Sequence, residues 1–465
     1  MHVFRLRAPN AANALSSFTV RRLMALTFAV AASIAPRSSS AQEPPVDHAQ
    51  PIDRSTPDPA TPAAPAQPPP RAPAQAPPPS PAPVPSPAPL PRGAPDEELG
   101  MSIGASRPTD MAAFAAQSEQ ELKVGSARAR YSLNIFGDVG VAATVGTRRD
   151  FNPTFSAGTF SLLFNGNLDG GFRMVAEPAI EFNEANEPGI DLERLALRWT
   201  RGGFFIEAGR THLDIGYWNT AYHHGKWLQP TVDRPRLVRF EDSGGILPIH
   251  WVGLTAGYGI DLGKGMSALA SLSLGNSRGP IVDSIQNRVD GSADKQLSAK
   301  IELKGLLHKE LRLGISGVHG KIAAQDAMAR PSLPGARLIE NIGNVYVALP
   351  AQPFYALAEG YAITHAAQAR SWETYGGFVT VGYAFDIVTP YILAERLVTT
   401  NGVDPFFMPD PRAVSLVQLD VVDGVGGVRL DVSTWSSLKV EYRLTRLVDL
   451  QETVHSGTAS WQFAL

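Results

Sequence analysis

The sequence contains no cysteine among its 465 residues, and charged residues make up only 18% of it. The absence of cysteine excludes disulfides, thiolate metal ligands and cysteine nucleophiles. A formal net charge of -3 gives no indication of nucleic-acid binding, which usually needs a basic surface. The sequence has no apolar run of about 18 residues, the length of a membrane-spanning helix, and a helical membrane protein is therefore excluded.

Motifs of common enzyme classes are also absent. The sequence has no GxSxG nucleophile elbow, no GxxxxGK[ST] phosphate-binding loop and no HExxH zinc-binding helix. We therefore predict no catalytic residue, no cofactor and no metal site, and the protein is predicted not to be an enzyme. A barrel enzyme, with a catalytic group that spacing alone cannot locate, is the less favoured alternative.

The N-terminus has the organisation of a secretory signal peptide. Two arginines precede the apolar residues 23–35, and this run is too short to cross a bilayer. Ser39 and Ala41 supply the small residues at the −3 and −1 positions of a cleavage site. We therefore predict that residues 1–41 are a cleaved signal peptide and that the chain is exported.

Proline dominates the next part of the chain. More than half of the 39 prolines lie within residues 44–95. Proline has no backbone N–H to donate, so this part of the chain cannot form a helix or sheet interior. We predict that residues 42–108 are a disordered Pro/Ala-rich periplasmic segment, either a spacer that contacts peptidoglycan or a tail of little consequence. Residues 109–129 are predicted to be a short helical or irregular connector.

From about residue 130 the hydrophobic pattern changes to a period of two. Near the C-terminus, for example, Leu438, Val440 and Tyr442 alternate with charged residues. An apolar face and an ionised face on one strand require lipid on one side and water on the other. We count about 16 such strands, most of them about 9–13 residues long, which is enough to cross a bilayer at a tilt.

The connections between these strands alternate between short and long. Outer-membrane barrels have short periplasmic turns and longer external loops. The predicted fold class is therefore all-β, a transmembrane antiparallel β-barrel of about 16 strands over residues 130–465. We predict that it lies in the outer membrane of a Gram-negative bacterium, in contact with outer-membrane lipid. An even number of strands leaves both termini in the periplasm.

Three stretches of the sequence resemble a known family. They are FFIEAGRTHLDIGYWNTAYHHGKWLQP (204–230), GVGGVRLDVSTWSSLKVEYR (424–443) and the alternating end SWQFAL (460–465). Over about residues 130–465 the sequence is similar to Gram-negative porins, in particular to the phosphate-selective-porin-like group. The resemblance implies a passive or weakly selective channel, often assembled as a homotrimer.

The longest connection before the middle of the barrel is predicted to narrow the pore. As the third external loop, residues 211–246 resemble the porin loop that folds into the barrel, although a solvated outer loop is the alternative reading. The pair of adjacent histidines in it is interpreted as structural rather than metal-binding. The residues assigned to the constriction are Asp214, His223, His224, Lys226, Arg234, Arg236, Arg239, Glu241 and Asp242.

The alternation also predicts which charged residues line the lumen. Cations and carboxylates are nearly balanced, so they serve either as a selectivity filter or as cross-strand ion pairs that stiffen the wall. The residues assigned to the lumen wall are Arg173, Glu177, Arg194, Arg198, Lys300, Glu302, Arg429, Lys439, Glu441 and Arg443.

Together these features predict a porin that admits small hydrophilic solutes or anions by passive diffusion, with a weak anion preference from the basic loop. A barrel of about 16 strands leaves an aqueous channel unless a loop or plug fills it. The alternative is a plugged, structural barrel that the Pro-rich segment anchors to the periplasm or to peptidoglycan. Conductance of the purified protein distinguishes the two.

Overall fold

The computed structural model describes the part of the chain that follows the Pro-rich segment. The described residues are 120–124, 127–147, 149–182, 188–222, 226–241, 244–279, 282, 294–324, 333, 335–407 and 420–465. The predicted signal peptide, the predicted disordered segment and residues 109–119 of the predicted connector lie outside them.

Nearly all of the described chain is β-strand, as the alternating pattern predicts. The strands are β1 (Gln120–Val124), β2 (Ala127–Gly146), β3 (Arg149–Leu168), β4 (Phe172–Phe182), β5 (Pro188–Arg201), β6 (Phe204–His212), β7 (His250–Gly263), β8 (Met266–Asn276), β9 (Lys295–Lys304), β10 (Arg312–Ile322), β11 (Leu338–Leu349), β12 (Phe354–Ala367), β13 (Arg370–Tyr383), β14 (Val388–Thr400), β15 (Val421–Ser433), β16 (Ser436–Leu447) and β17 (Glu452–Ala464). The described residues add one short helix, α1 (Trp218–Ala221), and 3-10 turns at Asp169–Gly171 and Arg236–Val238. None of the helices among the described residues has the length and apolar character needed to cross a membrane.

Strands β2 to β17 form a closed ring. Each strand pairs with its neighbours in antiparallel register along the whole series. The ring is closed by β17 and β2, where Trp461 lies opposite Val139. The predicted antiparallel barrel with 16 strands is therefore confirmed. A closed ring has no free edge, so backbone groups can be satisfied within a bilayer.

The N-terminal end of the barrel differs from the expected connector. Strand β1 forms a tight hairpin with the start of β2, in which Gln120 lies opposite Tyr131. Residues 120–124 and 127–129 are therefore strand within the range for which we expected a helical or irregular connector. Strands β2 and β3 are each 20 residues long, beyond the expected length, and they pair with each other from Ala129 opposite Leu168 to Gly146 opposite Arg149.

The distribution of side chains is the inverse of that in a water-soluble protein. On β9, Leu297 and Ile301 are 42% and 56% exposed, whereas Ser298 and Lys300 are 1% and 6% exposed. The apolar side chains therefore face outward and the polar side chains face into the barrel. An apolar outer surface around a polar interior is the arrangement that a lipid bilayer stabilises.

The connections alternate in length as the sequence predicts. Short turns such as 202–203, 264–265 and 434–435 lie at one end of the barrel. Most connections at the other end are longer, and the connection between β6 and β7, residues 213–249, is the longest. By analogy with other outer-membrane barrels, we take the end with short turns as periplasmic and the end with long loops as external.

The closed ring predicts resistance to detergent. Because every strand is hydrogen-bonded on both sides, SDS at room temperature is expected to leave the barrel folded. Unboiled and boiled samples should therefore migrate differently on a gel, and the circular-dichroism spectrum of the unboiled sample should be that of β-sheet. Equal migration of the two samples would contradict a closed barrel.

Candidate functional site

The connection between β6 and β7, which we call the inner loop (residues 213–249), lies inside the barrel. Its aromatic side chains pack against residues of the wall that point inward. The ring centroid of Trp218 is 5.7 Å from that of Phe378 on β13, and the centroid of Tyr217 is 6.0 Å from that of Tyr346 on β11. Both loop side chains are buried. The loop therefore fills part of the lumen and is not a solvated external loop.

Carboxylates of the wall accept hydrogen bonds from the backbone of the inner loop. Glu359 on β12 accepts from the N–H groups of Tyr217 and Trp218, at 3.1 and 2.6 Å, where α1 begins. Glu395 on β14 accepts from the N–H groups of Arg236 and Leu237, at 2.8 and 2.7 Å, where the 3-10 turn begins. These N–H groups have no partner within their own short helix, and the wall supplies one.

Cations of the wall bind the carbonyl groups of the inner loop. The Lys439 ammonium donates to the carbonyl oxygens of Lys226, Gln229 and Thr231, at 2.7, 2.7 and 3.0 Å. Arg429 donates to the carbonyl oxygen of Trp227. Both wall side chains are buried, so their charge is satisfied by loop backbone rather than by water. Side chains of the wall thus bind both the N–H groups and the C=O groups of the loop backbone.

Removing one of these anchors is expected to loosen the loop. In Glu395→Ala the N–H groups of Arg236 and Leu237 lose their acceptor, and a buried unsatisfied group costs about 1–3 kcal/mol. We expect a lower midpoint of thermal unfolding and noisier single-channel currents. Glu310→Ala is the control, because its carboxylate pairs with Lys304 at 3.2 Å in a partly exposed site at the other end of the barrel. Equal effects of the two substitutions would show that Glu395 does not anchor the loop.

The three arginines assigned to the constriction have different environments. The Arg234 guanidinium lies 4.3 Å from the ring centroid of Phe240 and is buried. Arg236 forms an ion pair of 2.8 Å with Asp423 on β15. The Arg239 guanidinium makes no hydrogen bond or ion pair with any residue that the structure describes. The carboxylates of Asp233 and Glu395 act on Arg239 only through space, and their charges raise its pKa.

Burial lowers the pKa of Arg234 and of Arg239 to about 10. The pKa of Arg239 is lowered further by the neighbouring charges of Arg236 and Arg443. Both guanidinium groups still carry their charge at neutral pH. The inner loop therefore keeps a cluster of positive charge in the lumen under physiological conditions.

Three further residues assigned to the constriction, Asp214, Lys226 and Glu241, hold the loop in place. Lys226 pairs with Asp138 on β2 at 2.9 Å, and Asp214 pairs with Lys300 on β9 at 2.8 Å. Burial alone would raise the pKa of Asp214, but the Lys300 ammonium outweighs it and holds this pKa below its usual value. Glu241 accepts from the N–H of Ile249 at 2.6 Å within the loop itself. His223, His224 and Asp242 lie outside the described residues.

Most of the residues assigned to the lumen wall form ion pairs or hydrogen bonds with other side chains of the wall, whereas Lys300 and Lys439 bind the inner loop. Four of the six ion pairs join neighbouring strands, which favours the structural reading of the mixed charge, in which such pairs stiffen the wall; Arg429 with Asp431 and Arg443 with Glu441 each lie within one strand. The pairs are Arg194 with Glu177 at 2.6 Å, Arg198 with Glu207 at 2.8 Å, Arg312 with Glu302 at 2.9 Å, Arg429 with Asp431 at 2.6 Å, Arg443 with Asp423 at 3.0 Å, and Arg443 with Glu441 at 3.5 Å, while Arg173 donates to Asn165 at 2.9 Å.

Comparison with known proteins finds related architectures. No family model and no curated protein matches the sequence. OmpT of Vibrio cholerae, expressed in the outer membrane, is 9% identical with a TM-score of 0.49 over 74% of this chain and 100% of that chain. OprB of Pseudomonas putida at high pH is 10% identical with a TM-score of 0.49 over 72% of this chain and 94% of that chain. OmpF of Salmonella typhi in complex with daunomycin is 12% identical with a TM-score of 0.48 over 74% of this chain and 100% of that chain.

These identities and TM-scores are low, so the fold is assigned from the closed ring of strands and its apolar outer face. The chain is a closed antiparallel β-barrel of 16 strands with an apolar outer face. The alternating pattern identified its wall strands, and the structure places the connection between β6 and β7 against inward-facing residues of the wall.

The sequence pattern did not predict the main anchors of the inner loop. Glu359 and Glu395 are the only carboxylates of β12 and β14, and both are buried at inward positions. A buried cluster was missed as well, in which His365 on β12 contacts Asp404 at 2.6 Å and Glu340 at 3.1 Å. The alternation of β12 and β14 was the available signal for Glu359, His365 and Glu395, because it places these three residues on the inner face.

Proposed function

We propose that the protein is an outer-membrane channel for small hydrophilic solutes, narrowed by the inner loop and weakly selective for anions. The observation that carries the proposal is a long loop fixed inside a closed barrel by wall carboxylates and wall cations. The barrel fold and its apolar outer face support an outer-membrane location. The basic cluster of the loop supports the preference for anions.

Exposed charge inside the barrel supports a water-filled path beside the loop. Side chains of Lys226, Arg198 and Arg312 are directed into the barrel, yet 34%, 35% and 24% of their surfaces are exposed. Water therefore reaches these groups although the loop core is buried. We expect hydrated ions and small polar solutes to follow the same path.

A plugged barrel is the second candidate function. It is favoured by the packing of the inner loop, in which Trp218, Trp227 and Leu237 are completely or almost completely buried. In this reading the barrel serves as an anchor, and the Pro-rich segment reaches peptidoglycan in the periplasm. A homotrimer, which the family resemblance implies, is compatible with either function and belongs to the proposal.

The two functions are distinguished by conductance. Purified barrel is inserted into a planar bilayer, and currents are recorded in symmetric KCl and across a KCl gradient. A channel gives discrete, reproducible conductance steps, with a reversal potential on the anion side. Insertion without conductance, with the heat-dependent gel shift confirming a folded barrel, would reject the channel and support the plugged barrel.

A further inference from the structure

Strands β1 and β17 follow each other along the same edge of β2. Residues 129–131 of β2 pair with β3 on one side and with β1 on the other. Further along this second edge β2 pairs with β17, and Leu465 exchanges two backbone hydrogen bonds with Ile135, at 2.8 and 2.9 Å. Both β1 and β17 are antiparallel to β2, so they run in the same direction. Residues 132–134 of β2 therefore separate Gln120 from Leu465 along this edge.

This register fixes the direction from which the chain arrives at β1. Strand β1 descends from Gln120 to Val124, toward the periplasmic end of β2. The chain before Gln120 therefore comes from the gap beside residues 132–134, and Leu465 closes this gap at its upper end. A strand that cannot continue in the plane of its sheet leaves it on one of the two faces, here the lumen or the lipid side. We call residues 109–119, TDMAAFAAQSE, the leading segment.

The lipid side is unfavourable for the leading segment. The outward face at this level is apolar, with Leu133, Trp461 and Leu465 at 54%, 54% and 57% exposed. The leading segment carries two carboxylates, Asp110 and Glu119. An ionised group without a partner is costly in an apolar medium, whereas the inward face of the barrel is polar. The composition of the segment therefore favours the lumen.

The inward face of the nearby wall is buried. Most anchors of the inner loop lie on the far side of the ring, on β9, β12, β14, β15 and β16. Even so, Asn134 and Phe136 of β2 and Leu163 of β3 are 0%, 2% and 1% exposed. Inward side chains of a lumen that is open to water would be exposed. The lumen beside β2 and β3 is therefore filled.

Three inward side chains on this part of the wall each have a buried polar atom without a hydrogen-bond partner among the described residues. The atoms are Nδ2 of Asn165, Oε1 of Glu177 and Nη2 of Arg194. They lie on three adjacent strands, β3, β4 and β5, and Glu177 is directly opposite Arg194. A buried polar atom without a partner is costly, and native structures rarely leave one. A backbone segment that runs across these strands would offer C=O groups to the two donors and an N–H group to the carboxylate.

We propose that the leading segment enters the lumen from β1 and lies against the inward faces of β2 to β5, where it narrows the channel in series with the inner loop. Its eleven residues can span roughly 35 Å when extended, which is enough to cross these four strands. Its charge also fits, because Arg173 and Arg198 lie directly opposite each other on β4 and β5. Like charges in that arrangement repel, and the Asp110 carboxylate would relieve the repulsion.

The test is cross-linking in the full-length barrel, which has no cysteine of its own. Ala115→Cys is combined either with Asn134→Cys on the inward face or with Leu133→Cys on the outward face of the same strand. The folded protein is treated with a short bismaleimide, and the linked peptides are identified by mass spectrometry. We expect a link in the inward pair and none in the outward pair. A link in the outward pair alone, in both pairs equally or in neither would overturn the proposal.

A second measurement asks whether the leading segment covers the wall. Asn134→Cys, as the single cysteine, is labelled with a water-soluble maleimide in the full-length barrel and in a variant that lacks residues 109–119. We expect the deletion to accelerate labelling by about tenfold or more, because a covered side chain reacts only when its cover opens. Thr389→Cys is the control, since Thr389 is also inward, 5% exposed and on β14, away from the proposed contact. Its labelling rate should not change.

Equal labelling of Asn134→Cys with and without the leading segment would overturn the proposal. Each variant must show the heat-dependent gel shift of a folded barrel. Cross-linking and labelling do not depend on ion flow, so the position of the segment is tested separately from the channel function. An inward cross-link in a barrel that does not conduct would reject the channel and leave this proposal standing.

Discussion

Replacing residues 214–248 by a short Asn-Gly turn is expected to raise the single-channel conductance several-fold. The replacement is feasible because the ends of the inner loop already meet: the N–H of Leu213 donates to the carbonyl oxygen of Ile249 at 2.8 Å. An Asn-Gly turn suits two antiparallel strands that are hydrogen-bonded in this way. Without the loop, the wall of 16 strands encloses a wide aqueous lumen.

The control for this deletion is a turn at the other end of the barrel. Residues 306–310 are also spanned by a hydrogen bond, from the N–H of Gly305 to the carbonyl oxygen of Leu311 at 2.8 Å. Replacing them by the same Asn-Gly turn should leave the conductance unchanged. Both variants must keep the heat-dependent gel shift of a folded barrel. If the loop deletion conducts no better than the control, the inner loop does not limit the flow of ions.

Arg239→Gln is expected to shift the reversal potential in a KCl gradient toward cation preference. The Arg239 guanidinium has no hydrogen bond or ion pair with the described residues, so its charge is not cancelled by a direct partner. Two unit charges about 4 Å apart interact by about 4 kcal/mol at an intermediate dielectric, against about 1 kcal/mol in water. An ion that passes close to Arg239 in the narrowed lumen therefore senses this charge strongly.

Two further substitutions separate this effect from a general loss of charge. Arg236→Gln should shift the reversal potential less, because the Arg236 charge is already matched by Asp423 at 2.8 Å. Arg446→Gln should have no effect, because Arg446 is exposed outside the lumen and salt screens its charge within about 8 Å. A shift for Arg239→Gln no larger than that for Arg446→Gln would mean that ions do not pass near Arg239.

The ring of strands could be predicted because its signal is local. Alternation such as that of Leu438, Val440 and Tyr442 follows from the medium on each side of the wall, and each strand carries it without reference to any other strand. The alternation of short and long connections predicted which end of the barrel is periplasmic and which is external. The prediction that the connection between β6 and β7 narrows the pore rested on its length and on its resemblance to the third external loop of porins.

The anchors of the inner loop could not be predicted, because they depend on contacts between distant parts of the chain. Glu359 and the N–H of Tyr217 are separated by 142 residues, and Glu395 and the N–H of Leu237 by 158 residues. Nothing local indicates that a wall carboxylate faces a loop N–H group. The same holds for the three arginines of the loop. The path of the loop places Arg234 against Phe240 and Arg236 against Asp423, whereas the Arg239 guanidinium has no hydrogen bond or ion pair with the described residues.

The closure of the ring between β17 and β2 has a consequence for folding. The N–H of Thr453 donates to the hydroxyl of Thr147 across 306 residues of chain, near one end of this seam. Pairings between such distant residues form slowly, because a long segment must be ordered before the contact is gained. Until they form, β2 and β17 each present an edge of unpaired N–H and C=O groups to any other chain nearby. Formation of the seam is therefore the step at which aggregation competes with folding, and a chaperone that covers these two edges would protect the barrel most.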